Sequence, residues 1–158
     1  MIRVLMVCHG NICRSPIAEF VLKEKVKALG LSTQFYIASA ATSTEEIWNG
    51  IGNPVYPPAK AELARHGISC EGKRAVQLKK SDYANYDYLL GMDEQNIRNM
   101  HRIVGKDPEH KIHKLLDYST FPRAIADPWY TGNFQATYSD VVEGCDAFLE
   151  YLKKSGQI

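Results

Sequence analysis

The sequence has no long apolar run, no excess of charge and no paired-cysteine motif. None of its apolar stretches approaches the roughly 18 residues that a membrane-spanning helix requires. Its 19 Lys and Arg nearly balance 18 Asp and Glu, which excludes a strongly basic nucleic-acid binder and an acidic disordered chain. The mostly apolar stretch at residues 1–7 is too short for a signal peptide. We therefore expect a cytoplasmic protein that binds neither nucleic acid nor a membrane.

The four cysteines, Cys8, Cys13, Cys70 and Cys145, do not follow a metal-site or disulfide pattern. No two are separated by two residues, the spacing of zinc sites and of thioredoxin-type pairs. Cytoplasmic thiols stay reduced, so we expect these residues to serve chemistry or packing. Cys70 and Cys145 are predicted to be structural, since Cys145 falls on the apolar face of the last predicted helix.

Strand-like and helix-like segments alternate along the chain. Residues 2–7 form a short branched apolar run, which is typical of a strand buried on both faces. We predict strands at 2–7, 33–38, 86–91 and 111–116, helices at 15–29, 59–66, 92–104 and 138–152, and long loops at 39–58 and 117–133. This alternation predicts one α/β domain over residues 1–158, with a parallel sheet of about four strands and helices on both faces.

The turn after the first strand carries the chemistry. Its core is Cys8, five residues, Arg14 and then Ser15. Five residues are enough to curl the main chain around one tetrahedral anion, with N–H groups pointing inward and a helix N-terminus behind them. Arg14 supplies a planar fork for two phosphate oxygens, and the same field favours the thiolate form of Cys8, an in-line nucleophile.

Cysteine and arginine at this spacing are weak evidence alone, because a buried cysteine beside an exposed arginine is common. The context makes the signal specific: a hydrophobic strand precedes the turn, and Ser15-Pro16 opens a helix after it, with Ser15 as a possible cap. Gly10 and Asn11 inside the turn tolerate positive φ.

The stretch from Cys8 to Glu19 resembles the phosphate-binding loop of the low-molecular-weight protein tyrosine phosphatases. Nearly the whole chain shares the resemblance, through Ser39-Ala-Ala-Thr-Ser43, Gly52-Asn-Pro54, Arg65-His-Gly67, residues 86–90 with Met92-Asp-Glu, and Asp127-Pro-Trp-Tyr130, which is similar to the family's general-acid loop. The resemblance implies metal-free hydrolysis of phosphotyrosine, or another aryl phosphate, through a phosphocysteine.

The resemblance implies a role for each matching position. Cys8 is expected to be the nucleophile and Arg14 the phosphate clamp. Asp127 is expected to protonate the leaving oxygen and then activate water; the alternative is a turn residue, because Asp-Pro commonly opens turns. Asp93 matches an aspartate that supports the arginine, and the alternative is a helix cap before Glu94.

Loop shape and the substrate slot involve further positions. Asn11, Ser15 and Ser39 match residues that hold the loop, and Ser15 is expected to donate to the Cys8 thiolate. Trp129 and Tyr130 are expected to form one aromatic wall of the slot. Trp48 is expected to form the other wall, and its alternative is a partly buried loop residue. Ile12 is expected on the floor of the slot. The rest of the phosphate- and substrate-binding set is expected to be His9, Gly10 and Cys13.

Two departures from the family affect the interpretation. His9 stands where better-known members often have Leu, so either a local charge or a solvent-facing side chain is expected. The family often has a histidine that supports the loop after the His66-Gly67 stretch, but Gly72-Lys73 stands near that place. Cys13 resembles the second loop cysteine that forms a reversible disulfide with the nucleophile, and packing is its alternative role.

Other classes of protein fit less well. A thioredoxin-linked arsenate reductase needs a further cysteine relay, which Cys70 and Cys145 do not form. A protein-arginine phosphatase is the closer alternative, although a Thr commonly occupies the place of Ile12 there. His110 and His113 lack a third ligand, and no Gly-rich nucleotide motif is present. We therefore predict no metal and no cofactor, a phosphotyrosine protein as substrate, and inorganic phosphate or other oxyanions as inhibitors.

Overall fold

The computed structural model describes all residues, 1–158, and contains one principal sheet. Four parallel strands form it in the order β2-β1-β5-β6. The strands are β1 (Ile2–Cys8), β2 (Phe35–Ala41), β5 (Tyr88–Gly91) and β6 (Ile112–Lys114), and a small antiparallel hairpin contains β3 (Ile47–Trp48) and β4 (Ile51–Gly52).

Six helices accompany the strands. They are α1 (Arg14–Ala28), α2 (Pro57–Arg65), α3 (Asp82–Asn85), α4 (Glu94–Val104), α5 (Pro128–Thr131) and α6 (Phe134–Lys154). None of them is long and apolar enough to cross a membrane.

The alternation of side chains along β1 divides the core into two layers. Val4 and Met6 point to the larger cluster, which α1, α2 and α6 cover. Leu5 and Val7 point to the opposite cluster, which contains residues of α4. Both faces of β1 are therefore buried, which confirms the predicted parallel sheet with helices on both sides.

Strand β1 lies at the point where the strand order reverses. The chain leaves β1 to form β2 on one side and later returns to form β5 on the other side. In parallel sheets the crevice beyond the strand ends at such a point is the usual ligand site. Cys8, the last residue of β1, lies there beside Ala41 of β2.

Several predicted element bounds are wrong. The second strand starts at Phe35, because residues 32–34 form a 3-10 turn, and it runs to Ala41 through small residues that carry no strand signal. The fourth strand covers only three residues, and Leu115–Tyr118 is a 3-10 helix. The predicted loop at 39–58 contains the β3–β4 hairpin, and α3 and α5 were missed because each has only four residues.

Candidate active site

The turn after β1 wraps around the sulfur of Cys8. Cys8 is 3% exposed, and the main-chain N–H groups of Asn11 and Ser15 donate to its Sγ at 3.3 and 3.4 Å. The N-terminus of α1 begins in the same turn, so its dipole adds positive potential near the sulfur. This arrangement stabilises negative charge at Cys8.

Ser15 does not cap α1, contrary to one of its predicted roles. The helix begins one residue earlier, at Arg14, and its N-cap Cys13 makes no side-chain cap. The hydroxyl of Ser15 instead lies 2.9 Å from the sulfur of Cys8, at full burial. Pro16 is therefore the third helical residue rather than the first.

Asn11 holds the turn in shape through its side chain and its backbone. Its φ of 59° lies in the left-handed region that asparagine tolerates. Its Nδ2 donates to Ser15 Oγ at 2.8 Å and to Ser39 Oγ at 2.9 Å. Gly10 does not adopt positive φ; it allows close approach instead, since a Cβ there would lie 3.3 Å from Cγ of Glu46.

Arg14 is held rigidly with one edge left for a ligand. It is 3% exposed, and its Nη1 donates to Asp93 Oδ2 at 2.6 Å and to the carbonyl of Ile125 at 2.9 Å. These bonds use both protons of Nη1, which leaves the Nε and Nη2 edge to face two oxygens of an oxyanion. Burial opposes the charge of Arg14, but Cys8 and Asp93 outweigh it and raise its pKa.

Two aspartates each combine a helix cap with a contact to Arg14. Asp93 caps α4 by accepting from the N–H of Asn96, while its other oxygen binds Arg14. Asp127 caps α5 by accepting from the N–H of Trp129 at 3.0 Å, and its other oxygen lies 3.5 Å from Nη2 of Arg14. Capping a helix is therefore compatible with a contact to Arg14 for both aspartates, because the cap uses one carboxylate oxygen and orients the other.

A cavity of about 230 Å³ opens over this turn. Trp129 and Tyr130 lie on its rim, and Trp129 packs on Tyr56 with ring centroids 4.9 Å apart. The structure brings most of the predicted site residues to this cavity, together with two unpredicted glutamates: Cys8, His9, Gly10, Ile12, Cys13, Arg14, Asp127, Trp129 and Tyr130, with Glu45 and Glu46.

Trp48 does not line the cavity, so its placement as the second wall is wrong. It is 80% exposed and lies on β3, whose turn is Asn49-Gly50. Both turn residues have positive φ, as a tight two-residue hairpin requires. Alternation along this short strand directs Ile47 towards the cluster of Ile12 and leaves Trp48 in solvent.

Polar side chains that the sequence did not single out stand around the turn. Glu45 and Glu46 line the cavity, and Glu45 Oε2 is 3.0 Å from Nε2 of His9. Lys73 donates to the carbonyl of Ser39 at 2.9 Å, and Ser39 donates to buried Glu19. Of these side chains, only Lys73 had a signal in the sequence, because Gly72-Lys73 stands near the place of the family's supporting histidine. Glutamates and lysines are otherwise common in loops and do not indicate a site.

The remaining cysteines are buried thiols. Burial and the neighbouring Cys8 raise the pKa of Cys13 to about 12, so Cys13 carries a proton at neutral pH. Burial also raises the pKa of Cys70 and of Cys145. None of the four cysteines is in a disulfide.

The fold and this cavity define a class: an α/β protein with a cysteine and an arginine in one anion-binding turn. Comparison with known proteins gives the family. The family model of the low molecular weight phosphotyrosine protein phosphatases matches residues 3–158. The chain belongs to this family, and it is an enzyme of the protein-tyrosine-phosphatase class, which hydrolyses phosphoric monoesters.

Individual members of this family are similar to the chain over nearly its full length. The chain is similar to the low molecular weight protein-tyrosine-phosphatase YfkJ of Bacillus subtilis, at 36% identity over the whole of both chains. The crystal structure of YfkJ superimposes with a TM-score of 0.89 over 98% of this chain and 96% of that one. The Homo sapiens low molecular weight phosphotyrosine protein phosphatase is 41% identical, over 93% of each chain. The Drosophila arginine phosphatase DARP is also similar, at 29% identity and a TM-score of 0.84 over 95% of this chain and 97% of that one.

Proposed function

We propose that Cys8, Arg14 and Asp127 carry out phosphotyrosine hydrolysis through a phosphocysteine intermediate. One observation carries this assignment: the Cys8 sulfur accepts hydrogen bonds from the N–H groups of Asn11 and Ser15, and lies 2.9 Å from the Ser15 hydroxyl. It does so in a cavity that Arg14 and Asp127 also line. We also propose that residues 1–158 act as a single phosphatase domain.

In the first step, the Cys8 thiolate attacks phosphorus and the bond from phosphorus to the tyrosyl oxygen breaks. The Nε and Nη2 edge of Arg14 and the inward N–H groups of the turn bind the equatorial oxygens, where charge is spread in the transition state. Protonated Asp127 gives its proton to the leaving oxygen, so tyrosine departs as a neutral phenol.

In the second step, the Asp127 carboxylate takes a proton from water, and the water oxygen attacks phosphorus. The S–P bond breaks, and inorganic phosphate and the Cys8 thiolate form. The hydroxyl of Ser15, 2.9 Å from the sulfur, stabilises the departing thiolate. Positive charge comes from Arg14 and the main chain, so the mechanism uses neither metal nor cofactor.

The substrates of this family are phosphoproteins, and we propose phosphotyrosyl side chains as the groups hydrolysed here. A flat aryl ring can stack on Trp129, whose own ring packs against Tyr56. Inorganic phosphate and similar oxyanions are expected to inhibit by occupying the turn. We propose that the enzyme acts in the cytoplasm, where its four buried thiols remain reduced.

Phosphoarginine is the second candidate substrate. The similarity to the Drosophila arginine phosphatase favours it, while Ile12 on the cavity wall favours an aromatic substrate. The test is phosphate release from phosphotyrosine and phosphoarginine peptides side by side, with Cys8→Ser as the blank and EDTA in a parallel assay. We expect release from phosphotyrosine that EDTA does not change and Cys8→Ser abolishes; preference for phosphoarginine would overturn the substrate assignment.

A further inference from the structure

Tyr56 joins the phosphate-binding turn to the short helix that carries the aromatic wall. Its main-chain N–H donates to the carbonyl of Ile12 at 2.9 Å, and its ring packs against the cluster of Ile12, Cys13 and Ala75. The ring centroid of Tyr56 also lies 4.9 Å from that of Trp129, at an interplanar angle of 50°. Tyr56 therefore contacts both parts of the proposed slot, although it is not among the residues that line the cavity.

The local sequence and three main-chain hydrogen bonds fix the position of Tyr56. Pro57 follows it, and a residue before proline is kept out of the helical region; Tyr56 has a φ of −56° and a ψ of 133°. Its carbonyl accepts from the N–H groups of Ala59 and Lys60 at 2.9 and 3.0 Å, in the first turn of α2. Because its N–H is bound to Ile12 as well, the place of Tyr56 beside the turn is set when the chain folds.

Trp129 is held less firmly than Tyr56. It belongs to α5, a helix of only four residues, and it is 55% exposed. Its main-chain N–H donates to Asp127, which fixes the backbone but leaves the side-chain torsion angles of the indole free. The only aromatic pair that includes the indole is the one with Tyr56. Tyr56 is thus the contact that orients an otherwise exposed ring.

We propose that Tyr56 is a positioning residue for the aromatic wall: it holds the indole of Trp129 at a set distance from the phosphate-binding turn, and in this way it sets the preference for aryl phosphates. The inference rests on the proposed stacking of a substrate ring on Trp129. A phosphoryl group bound in the turn fixes one end of the substrate, so its ring can stack only if the indole is already at the right distance. Because Tyr56 is bonded to the turn itself, it fixes that distance before substrate arrives.

The effect of a positioned indole should depend on the ligand. A well-oriented aromatic pair increases affinity by a few-fold to about tenfold beyond the effect of the area that it buries. A ligand with an aromatic ring gains this affinity only while Trp129 keeps its orientation. Inorganic phosphate occupies the turn alone and gains none of it. The ratio of the two affinities therefore separates a positioning role of Tyr56 from a general role in stability.

The experiment compares Tyr56→Leu with Tyr56→Phe and with Tyr138→Leu. Tyr56→Phe keeps the ring, and Tyr138→Leu is the matched control, because Tyr138 stacks on His66 and does not line the cavity. Calorimetry measures the Kd of benzylphosphonate and the Kd of inorganic phosphate for each protein. Neither ligand is turned over, so the ratio of the two constants reports the ring contact even if the proposed chemistry is wrong.

We expect Tyr56→Leu to weaken benzylphosphonate binding by about 3- to 10-fold and to leave the Kd of phosphate within about twofold. Tyr56→Phe and Tyr138→Leu should keep the wild-type ratio. The inference is overturned if Tyr56→Leu weakens both ligands equally or neither of them, or if Tyr138→Leu lowers the ratio as much. If Tyr56→Leu does not fold, Tyr56→Met takes its place with the same outcomes.

A double-mutant cycle with Trp129→Leu tests whether Tyr56 acts through the indole. Once the indole is absent, Tyr56→Leu should cause no further loss of benzylphosphonate affinity, because the effects of two residues in one contact do not add. A second full loss in the Trp129→Leu background would show that Tyr56 acts on the ligand by another route, and it would overturn the inference.

Steady-state kinetics separate the wall from the proposed acid. In Tyr56→Leu, kcat/KM should fall by the same factor for phenyl phosphate and for p-nitrophenyl phosphate, because both rings lose the same stacking contact. Phenolate is the poorer leaving group and depends more on protonation by Asp127. A larger fall for phenyl phosphate would assign the effect of Tyr56 to proton transfer and would overturn its role at the wall.

Discussion

At the scale of single residues, Asp127 and Arg14 show how one side chain serves local structure and chemistry together. One oxygen of Asp127 caps α5 and the other lies 3.5 Å from Arg14. The cap fixes the carboxylate towards the cavity, while Arg14 is fixed by Asp93 and the carbonyl of Ile125. The geometry of the proposed acid and clamp is therefore set by bonds that form on folding, before substrate arrives.

Asp127→Asn isolates the proton-transfer role, because asparagine caps a helix about as well as aspartate. We expect turnover of phosphotyrosine to fall by about 10²–10⁴-fold, the usual contribution of general acid–base catalysis, with little change in thermal stability. Steady-state kinetics and a thermal melt check both points. Unchanged turnover would remove Asp127 from the acid role.

Cys13 is expected to trap Cys8 after oxidation by peroxide. Peroxide converts the Cys8 thiolate to a sulfenic acid, and the Cys13 thiolate then displaces hydroxide to form a disulfide. Burial and the charge of Cys8 raise the pKa of Cys13 to about 12, and oxidation of Cys8 removes the second of these causes. Trapping should therefore become faster as pH rises.

Peptide mass spectrometry after mild peroxide treatment measures this trapping. The expected product is a Cys8–Cys13 disulfide in the wild-type protein and overoxidised Cys8 in Cys13→Ser. Overoxidised Cys8 without a disulfide in the wild-type protein would show that Cys13 is only a packing residue.

The sequence identifies site residues that stand in recognisable motifs, and it misplaces or misses those whose position depends on loop shape or on long-range packing. Cys8, Arg14 and Asp127 stand in local motifs whose chemistry can be read without a fold. Trp48 failed because its role depended on the shape of a loop, and the Asn49-Gly50 turn directs it into solvent. Lys73 and Glu19 are far apart in sequence, and only the folded chain brings them together.

At the scale of elements, α6 packs closely against the 3-10 helix Leu115–Tyr118. The residue Gly144 lies where α6 meets the 3-10 helix Leu115–Tyr118, and a Cβ there would lie 2.6 Å from Cγ of Leu115. We expect Gly144→Ala to destabilise the protein by about 1–3 kcal/mol through overpacking, although alanine favours helices. Urea unfolding measures the change; a stabilised variant would contradict this packing.

An ion pair joins α6 to the loop before Asp127, and it should titrate. Arg123 binds Glu143 at 2.7 Å and Asp140 at 2.8 Å. The hydrogen bonds from Arg123 and Ser119 lower the pKa of Glu143 from 4.5 to about 2. Because the folded-state pKa is depressed, this stabilisation is present above about pH 4.5 and is lost as pH falls through about 2.

Glu143→Gln measures that contribution. The variant should be less stable than the wild-type protein at neutral pH, and the difference should shrink as pH falls from 4.5 to 2. High salt should reduce the difference as well, since the Glu143 side chain is 41% exposed. A difference in stability that does not depend on pH would contradict the assigned ion pair. Chemical unfolding at several pH values provides the data.

At the scale of the whole molecule, the fold class was predictable and several boundaries were not. Strong apolar patterns such as residues 2–7 and the last helix identified the layers, because burial on both faces of a strand leaves a clear sequence signal. The end of β2 lacks that signal: Ser39, Ala40 and Ala41 are small, and their pairing with β1 makes them a strand. The reversal of strand order then places the turn of Cys8 in the crevice.

The central claim is that the phosphoryl group is transferred to the sulfur of Cys8 before it is hydrolysed. The direct measurement uses Asp127→Asn with p-nitrophenyl phosphate, whose leaving group needs little protonation, so that the intermediate forms while its hydrolysis is slowed. After rapid denaturation, peptide mass spectrometry should find one phosphoryl group on Cys8, and none when Cys8→Ser is added. A phosphoryl group on His9, or turnover with no phosphorylated peptide, would contradict the account.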